Sequence, residues 1–383
     1  MKTVKILETV KIINDTVKKF DGIRCFLSTG DLDLTEIKSL EDVTYLGKPS
    51  RANQNVKKDD IILARMQGTV KVKIIDSDEE NIIVSTGFMV LRCNKDIDNR
   101  FIFHYLKSNL FQSKKDKLCS GATQKAINNN KFAEIQIPLP NLPTQQKIAA
   151  ILDKADELRQ YNKQLITKYD ALTQSLFLEM FGDPVRNEKG FPLKQLKEFG
   201  SSRLGKMLDG KKIIGNNLKP YLRNSNVQWF RFQLDDLLQM DFDEKDKIEF
   251  SLLFGDILMC EGGEIGRCAI WKDETADCYF QKAIHRIRLN DKYVLPEYFV
   301  YMFKKISDNG GLNEFKSAAT ISHLTGEKLK KMRLPIPPIK LQNQFAERVQ
   351  MIETQKQQAQ EALAKSENLF QGLLQRAFKG ELN

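Results

Sequence analysis

The feature that most constrains this chain is that it repeats itself. Sliding the sequence by 197 positions lays IPLPNLPTQQKIA (137–149) on LPIPPIKLQNQFA (334–346). Without gaps, residues 121–181 and 318–378 share 13 identities in 61 positions, where average composition gives roughly four. They include Ala122/Ala319, Thr123/Thr320, Lys131/Lys328, Pro138/Pro335, Pro140/Pro337, Gln145/Gln342, Leu172/Leu369, Leu176/Leu373 and Phe181/Phe378. Upstream, FIFHYL (101–106) lies on YFVYMF (298–303) at the same offset, DDIILAR (59–65) on GDILMCE (255–261) at 196, and FLSTGDL (26–32) on YLRNSNV (221–227) at 195. Solenoid units run about 20–50 residues, so this period predicts duplication of a whole domain plus its trailing element.

Each half then has one plan: a mixed segment (1–143 and 183–338) followed by a long helix (144–182 and 339–383). IILAR, TVKVKII, NIIVSTGFMVLRC and DILMC read as strands, being rich in Val and Ile. FIFHYLKSNLF and PEYFVYMFKKI read as helices from apolar residues three and four apart. The proline-punctuated joints IPLPNLP and LPIPPI are expected to continue neither helix nor sheet. The first long helix carries a heptad stripe of Ile148, Ile151, Ala155, Leu158, Asn162, Leu165, Tyr169, Leu172 and Leu176. The second carries Phe345, Val349, Ile352, Lys356, Ala359, Leu363, Ser366, Phe370, Leu373 and Ala377. Narrow seams of this kind need a partner helix. The expected fold is therefore α+β: two similar α/β domains separated by two long helices that form an antiparallel intramolecular coiled coil with pseudo-twofold symmetry. The alternative is two amphipathic helices, each lying on its own domain.

Charge narrows the partner. Sixty Lys+Arg against fifty Asp+Glu leave +10 over 383 residues, a surplus that suits a polyanion. The excess is +5 in 1–143 and +4 in 183–338, but zero in 144–182 and +1 in 339–383. A basic membrane-surface helix would show the reverse, so two basic modules predict two contacts with one long polyanion, with duplex DNA the obvious one. No window reaches the 18 or more apolar residues of a membrane span, and the charged start MKTVKILETVKIINDTVKK predicts no signal peptide and no export. Cys25, Cys93, Cys119, Cys260, Cys268 and Cys278 form no CxxC pair and are expected as free thiols. Cys260, Cys268, Cys278 and His285 are spaced too widely for ordinary zinc knuckles.

A search for catalytic residues fails. There is no Asn/Asp-Pro-Pro-Tyr/Phe of an amino-methyltransferase, and the one Pro-Pro (337–338) lies in the second joint. GSSRLGKM (200–207) imitates a phosphate loop but ends in Met207, where Ser or Thr must ligate Mg²⁺. GGEIG (262–266) reads as a turn between strands. His104, His285 and His323 sit near no nucleophile signature. DFDEKDK (241–247) reads as a solvated loop rather than a metal-binding nuclease cluster.

Two variable α/β segments, each with a proline joint and a long helix, resemble the specificity subunit of Type I restriction-modification enzymes. The resemblance covers essentially the whole chain and is most specific over IPLPNLPTQQKIAAILDKADELRQYNKQLITKYDALTQSLFLEMFGDP (137–184). SSRLGKMLDGKK (201–212) and KPYLRNSNVQ (219–228) also look like the opening of a target recognition domain of that family. The second joint departs from the pattern at Lys340, Leu341 and Asn343. The resemblance implies a non-catalytic reader of a bipartite duplex DNA target, one half per domain. It also implies docking of two methylation subunits and, through them, restriction subunits, in the cytoplasm of a bacterium or archaeon. S-adenosylmethionine, ATP and Mg²⁺ would then belong to those partners, with no cofactor, metal or membrane contact on this chain. A self-contained or Type IIB-like restriction-modification component, or a coiled-coil scaffold with incidental DNA affinity, are the alternatives.

Candidate DNA contacts follow from the repeat. A polar stretch precedes each joint: GATQKAINNNK (121–131) and SAATISHLTGEK (317–328). Thr123/Thr320 and Lys131/Lys328 coincide, which suits a shared backbone or phosphate role. Gln124 and Lys125, against Ile321, Ser322 and His323, differ, which suits base reading. The same stretches also fit a turn that caps a helix. Further candidates are Arg65, Gln67, Lys71 and Lys73 in the first domain, and Lys206, Lys211, Lys212, Arg223, Asn224, Asn226 and Arg267 in the second. Arg can bind guanine and Asn or Gln adenine in bidentate fashion, whereas Lys usually meets phosphate. Trp229 and Phe230 are expected in the core.

Overall fold

The structure is a computed structural model that describes residues 2–79, 81–207, 215, 217–313 and 323–382. It divides into two compact units: residues 1–164 with 360–383, and residues 165–359.

Unit 1 contains β1 (Lys2–Lys5), β2 (Val10–Ile13), β3 (Arg24–Leu27), β4 (Leu32–Asp33), β5 (Glu36–Ile37), β6 (Glu41–Val43), β7 (Ala52–Asn55), β8 (Ile61–Ala64), β9 (Val72–Ile74), β10 (Ile83–Ser85) and β11 (Phe88–Cys93). Then come α1 (Asn99–Lys107), α2 (Asn109–Leu118), α3 (Asn129–Ala133), β12 (Gln136–Leu139) and the start of α4 (Leu142–Phe181). Unit 2 contains the end of α4, then β13 (Leu193–Gln195), α5 (Leu196–Phe199), β14 (Gly200–Leu204), β15 (Leu218–Leu222), β16 (Val227–Gln228), β17 (Arg231–Phe232), β18 (Leu238–Asp241) and α6 (Glu244–Glu249). It continues through β19 (Ile257–Cys260), β20 (Cys268–Ile270), β21 (Tyr279–Phe280), β22 (Ile284–Leu289), α7 (Pro296–Asp308), α8 (Gly326–Lys331), β23 (Arg333–Pro335) and the start of α9 (Ile339–Lys379). The end of α9 belongs to unit 1.

The repeat seen in the sequence is a repeat of topology. The sheet β2-β11-β8-β9 in unit 1 has the strand order of β14-β22-β19-β20 in unit 2. A second sheet places β3 between antiparallel β6 and parallel β10, as β15 lies between antiparallel β18 and parallel β21. Single bonds repeat too. The carboxylate of Asp60 takes a two-pronged bond from Arg92 at 2.7 and 2.9 Å, and that of Asp256 takes one from Arg288 at 2.7 Å on both oxygens. Such forks satisfy a buried carboxylate where a lone one would be costly.

Each joint is anchored by a glutamine that the sequence comparison pairs. In unit 1, Gln145 accepts from Asp98 N at 3.0 Å and donates to Pro140 O at 2.9 Å. In unit 2, Gln342 accepts from Leu295 N at 2.9 Å and donates to Tyr293 O and Pro337 O at 2.9 and 2.8 Å. Both side chains are buried. One expectation is corrected here: the joints do take part in sheets. Thr3 pairs with Pro138 between β1 and β12, and Leu193 with Pro335 between β13 and β23. These are two-stranded ribbons, where a proline forfeits no central ladder bond. Helix α4 also starts two residues early, with Pro143 in its first turn, where a missing N–H leaves nothing unpaired.

The long helices run antiparallel in each unit. In unit 1, Asn162 of α4 meets Ser366 of α9 at 3.4 Å, and Arg159 donates to Glu367 at 2.9 Å and stacks 4.7 Å over Phe370. In unit 2, Lys356 of α9 donates to Asp170 of α4 at 2.6 Å, while Phe177 and Phe181 pack edge-on against Phe345. The α9 stripe read from the sequence lies on the seam, with Phe345, Val349, Ala359, Ser366, Phe370 and Ala377 buried. The α4 stripe is partly corrected. Leu158 and Leu172 are half exposed, and their neighbours Arg159 and Thr173 are buried instead. Glu367 of α9 draws Arg159 into the seam, while Thr173 satisfies its hydroxyl on Tyr169 O of its own helix at 3.1 Å, so apolar content alone misled.

Local readings also shift. NIIVSTGFMVLRC breaks into β10 and β11, which belong to different sheets, and FIFHYLKSNLF breaks at Ser108, whose hydroxyl caps α2. GSSRLGKM is mostly strand β14. Gly205 follows it because a Cβ there would lie 2.3 Å from Gln281 O. GGEIG is the turn between β19 and β20, as expected. In DFDEKDK, Asp243 caps α6 through Asp246 N. Trp229 packs partly buried against the unit 2 core, while Phe230 is exposed and stacks on Tyr301. All six cysteines are free, and among the described residues no cluster of His, Cys, Asp or Glu could hold a metal. Among the described residues no helix is long and apolar enough to cross a membrane.

Candidate nucleic-acid interface

In each unit a tight turn is crossed by a hairpin; the hairpin carries candidate residues in both units, and the turn carries them in unit 2. In unit 1 the turn is Ser28–Asp31, closed by Asp31 N to Ser28 O at 3.2 Å, with Lys38 N bonded to Asp31 O at 2.8 Å. In unit 2 it is Arg223–Asn226, closed by Asn226 N to Arg223 O at 2.9 Å, with Gln233 N bonded to Asn226 O at 2.8 Å. A basic side chain from the hairpin fixes each turn through the carbonyl of its second residue. Lys71 donates to Thr29 O at 2.7 Å, and Arg267 donates to Asn224 O at 2.9 Å. Within this shared frame the turn side chains differ: Ser28, Thr29, Gly30 and Asp31 against Arg223, Asn224, Ser225 and Asn226.

Unit 2 brings four of the candidates together. Arg223 bonds Asp236 through its side-chain oxygen at 2.6 Å and its carbonyl at 2.9 Å. Asn226 is buried, donates to Asp236 Oδ1 at 2.7 Å and Gln233 O at 2.9 Å, and accepts from Arg223 N at 2.9 Å. Its amide is fully used in holding the turn. Asn224 donates to Gly262 O at 3.2 Å, and Arg267 also reaches Glu264 at 3.1 Å. Lys206 lies apart, bonded to Asp241 O at 2.6 Å and to Asp246, with its ammonium 5.0 Å above the Phe242 ring.

A third element, in unit 1, is the loop before the short helix α3 that leads to the joint. In unit 1, Ser120 and Ala126 exchange backbone bonds at 3.1 Å and close a loop whose tip exposes Thr123, Gln124 and Lys125. Gly121 has φ +141°, and a Cβ there would meet Gln124 O at 2.4 Å, so the loop requires glycine. Gln67 N bonds Lys125 O at 2.9 Å, which brings two candidates together. Ile127 N bonds Arg65 O at 2.9 Å, and Leu324 N bonds Glu261 O at 2.8 Å in the matching place in unit 2. The Arg65 guanidinium turns inward to Phe88 O at 3.1 Å and Asn129 Oδ1 at 2.8 Å, and burial pulls its pKa down. Its counterpart Glu261 lies 4.0 Å from His285, which donates to Leu324 O at 2.9 Å. Burial holds His285 below its ordinary pKa.

The coincident pair Lys131/Lys328 marks matching helix starts. Lys131 N donates to the Asn128 cap at 2.8 Å, and Lys328 N to the Thr325 cap at 3.5 Å. The Lys131 ammonium pairs with Glu134 at 2.9 Å, and Lys73 pairs with Glu79 at 3.0 Å. His323 is exposed. Lys211, Lys212, Thr320, Ile321 and Ser322 lie outside the described residues. Sequence reasoning missed Ser28, Thr29 and Asp31, although the alignment of FLSTGDL with YLRNSNV held the signal. It also missed Asp236 and Glu264, which carried none.

With this geometry in place, comparison with known proteins identifies the family. Residues 1–168 and 188–364 match the family described as the Type I restriction modification DNA specificity domain. The chain belongs to that family. A relative from Escherichia coli (strain K12), the Type I restriction enzyme EcoKI specificity subunit, is 27% identical over 357 residues, covering 87% of this chain and 76% of the relative. The StySPI specificity subunit of Salmonella potsdam is 22% identical over 355 residues, with the same coverage. Among solved structures, a chain from a type I R-M system covers 100% of this chain and 98% of itself at TM-score 0.64 and 20% identity. A Type-I restriction-modification system S subunit from M. genitalium covers 98% and 96% at TM-score 0.57 and 15% identity. These two share the fold. The two matched stretches of the specificity-domain family each carry one copy of the turn and hairpin frame described above.

Proposed function

We propose that the chain is the DNA-reading subunit of a Type I restriction-modification assembly, reading a split duplex target with one half assigned to each unit. The observation that carries this is the frame that holds Thr29 under Lys71 and Asn224 under Arg267. One backbone arrangement, kept twice with its bonds intact, presents different side chains, which is what reading two different half-sites requires. The even spread of positive charge over both mixed domains supplies the attraction to phosphate.

Bond-making would belong to partners. Two methylation subunits would bring S-adenosylmethionine, and restriction subunits would bring ATP and Mg²⁺, all in the cytoplasm. Docking would use the long helices. In unit 1, Leu158 and Tyr161 of α4 and Leu369 of α9 face solvent, as do Leu172 and Leu178 of α4 in unit 2. The number of helical residues between the two halves would set the length of the unread spacer.

Methylome sequencing of the host with and without this gene tests the reading. Loss of one split motif is expected when the gene is deleted. A contiguous motif, or methyl transfer or cleavage by the purified chain alone with Mg²⁺ and S-adenosylmethionine, would overturn it.

A further inference from the structure

We infer that Asp236 and Glu264 set how strictly unit 2 discriminates DNA sequence, by occupying Arg223 and Arg267 until a correct half-site supplies replacement acceptors. This rests on reading unit 2 as a half-site reader. It goes further by assigning the discriminating role to carboxylates, the residue type that a search for DNA contacts passes over.

The first support is the order in which the groups meet solvent. The Asp236 and Glu264 side chains are 59% and 49% exposed, while their partners Arg223 and Arg267 are 27% and 16% exposed. Each carboxylate therefore sits as the outer member of its pair, where an incoming strand would displace it. Arg267 keeps its bond to Asn224 O at 2.9 Å, so it stays aimed when Glu264 leaves. Glu264 is itself steadied by the indole N–H of Trp229, over which Lys304 lies at 5.4 Å.

The second support is an incomplete hydrogen-bond network. Arg223 Nε, Asn224 Oδ1 and Arg267 Nε are occluded from water and have no partner. They are three of the seven such side-chain atoms among the described residues, and all three fall in this one cluster. Native proteins rarely leave such groups unpaired without a reason. A ligand that rearranges the two guanidiniums and the amide would complete the set. Phosphate and the guanine edge both match an arginine fork, and adenine matches the asparagine amide.

The energetic logic follows from how proteins hold DNA. Non-specific binding scales with the number of cations that face phosphate. An arginine already neutralised by a carboxylate adds little to that count, so wrong sequences gain little. A correct half-site offers base edges as well as phosphate, and only the combined offer displaces the carboxylate. Specificity then comes from penalising wrong partners as much as from rewarding the right one. In unit 1 the position of Arg223 is taken by uncharged Ser28, so the device belongs to unit 2.

The test uses the full chain in complex with its methylation subunits, carrying Asp236→Asn or Glu264→Gln. Asp291→Asn serves as control, because it removes the same charge from an exposed residue elsewhere in unit 2. Each complex is titrated with random-sequence duplex between 50 and 200 mM salt. Each of the two variants is expected to bind several-fold tighter, with a log–log salt slope steeper by about one, which is one added phosphate contact. The methylated motif should also lose stringency in one half only, and the control should match wild type in both measurements. Variants that match the control would overturn the inference. Should Asp236→Asn fail to fold, since Asp236 also holds Asn226, Glu264→Gln decides alone. A wild-type complex that methylates no split motif would instead defeat the underlying reading.

Discussion

Lys356 on α9 donates to Asp170 on α4 at 2.6 Å, and each lies 197 positions from a member of a second pair, Arg159 and Glu367, which meet at 2.9 Å with the helices exchanged. The duplication has thus been kept as reciprocal chemistry. Base stays with base and acid with acid, although none of the four residues is identical across the repeat.

The two pairs differ in burial, and that sets unequal costs. Arg159 is buried, also bonds Asp156 at 2.6 Å and stacks on Phe370. Arg159→Ala strips a partner from partly buried Asp156 and should lower unit 1 stability by about 2–3 kcal/mol. Lys356→Ala removes a more exposed pair and should cost under about 1 kcal/mol. Denaturant midpoints of the two variants would check the order, and equal shifts would contradict it.

Acid should weaken unit 1 in two stages. Burial holds His104 below its ordinary pKa, against the pull of its 2.7 Å bond to Asp153. The unfolded chain then takes up a proton near pH 6.5 that the folded chain refuses, so stability falls as pH drops through that region. Burial opposes ionisation of Asp153, but His104 and Arg100 prevail and lower its pKa. Lys107 and Arg159 do the same for Asp156. Their stabilisation is present above about pH 4 and is lost as pH falls through their lowered folded values. His104→Tyr, which installs the residue that unit 2 uses at this position (Tyr301), should abolish the pH 7 to 5 decline and shrink the second stage to what Arg100 does for Asp153 and Lys107 and Arg159 do for Asp156. A stability profile unchanged by the substitution would refute this.

The joint glutamines should behave as structural keystones. Gln145→Ala leaves Asp98 N and Pro140 O without their partner in a buried site, an expected loss of about 2–3 kcal/mol. Gln342→Ala frees three backbone groups and should cost at least as much. Thermal melting of each variant reads this directly.

Lys71 and Arg267 should act on one half-site each. Replacing either with Met keeps the aliphatic stem but releases the turn carbonyl beneath it. Lys71→Met should relax base preference in one half of the methylated motif by roughly tenfold, and Arg267→Met in the other half. Methylation sequencing with each variant would show it, and a loss spread over both halves would mean the turns are not separate readers.

Much of this was legible without coordinates, because duplication writes itself into spacing. Gln145 and Gln342 stood out as identities, and the structure gives the reason: each bonds backbone groups, which tolerate no change of donor or acceptor. The α9 seam was legible for the same kind of reason, since a periodic apolar stripe has one way to be buried. Leu158 and Leu172 misled because an apolar residue at heptad spacing need not be the one that turns inward: both are half exposed while Arg159 and Thr173 beside them are buried. Arg159 took the seam because Glu367, more than two hundred residues away, waits there.

What the sequence alone determined was the plan: two similar halves, a proline joint and a long helix after each, basic charge on the mixed domains. Those are properties of order and composition, which a linear text carries in full. What only the tertiary structure decided was which polar residues face one another. Arg223 meets Asp236, Arg267 meets Glu264 beneath Asn224, and Arg65 turns inward while Lys125 does not. A charge in a sequence has no direction, and its use depends on acceptors that folding delivers from elsewhere in the chain.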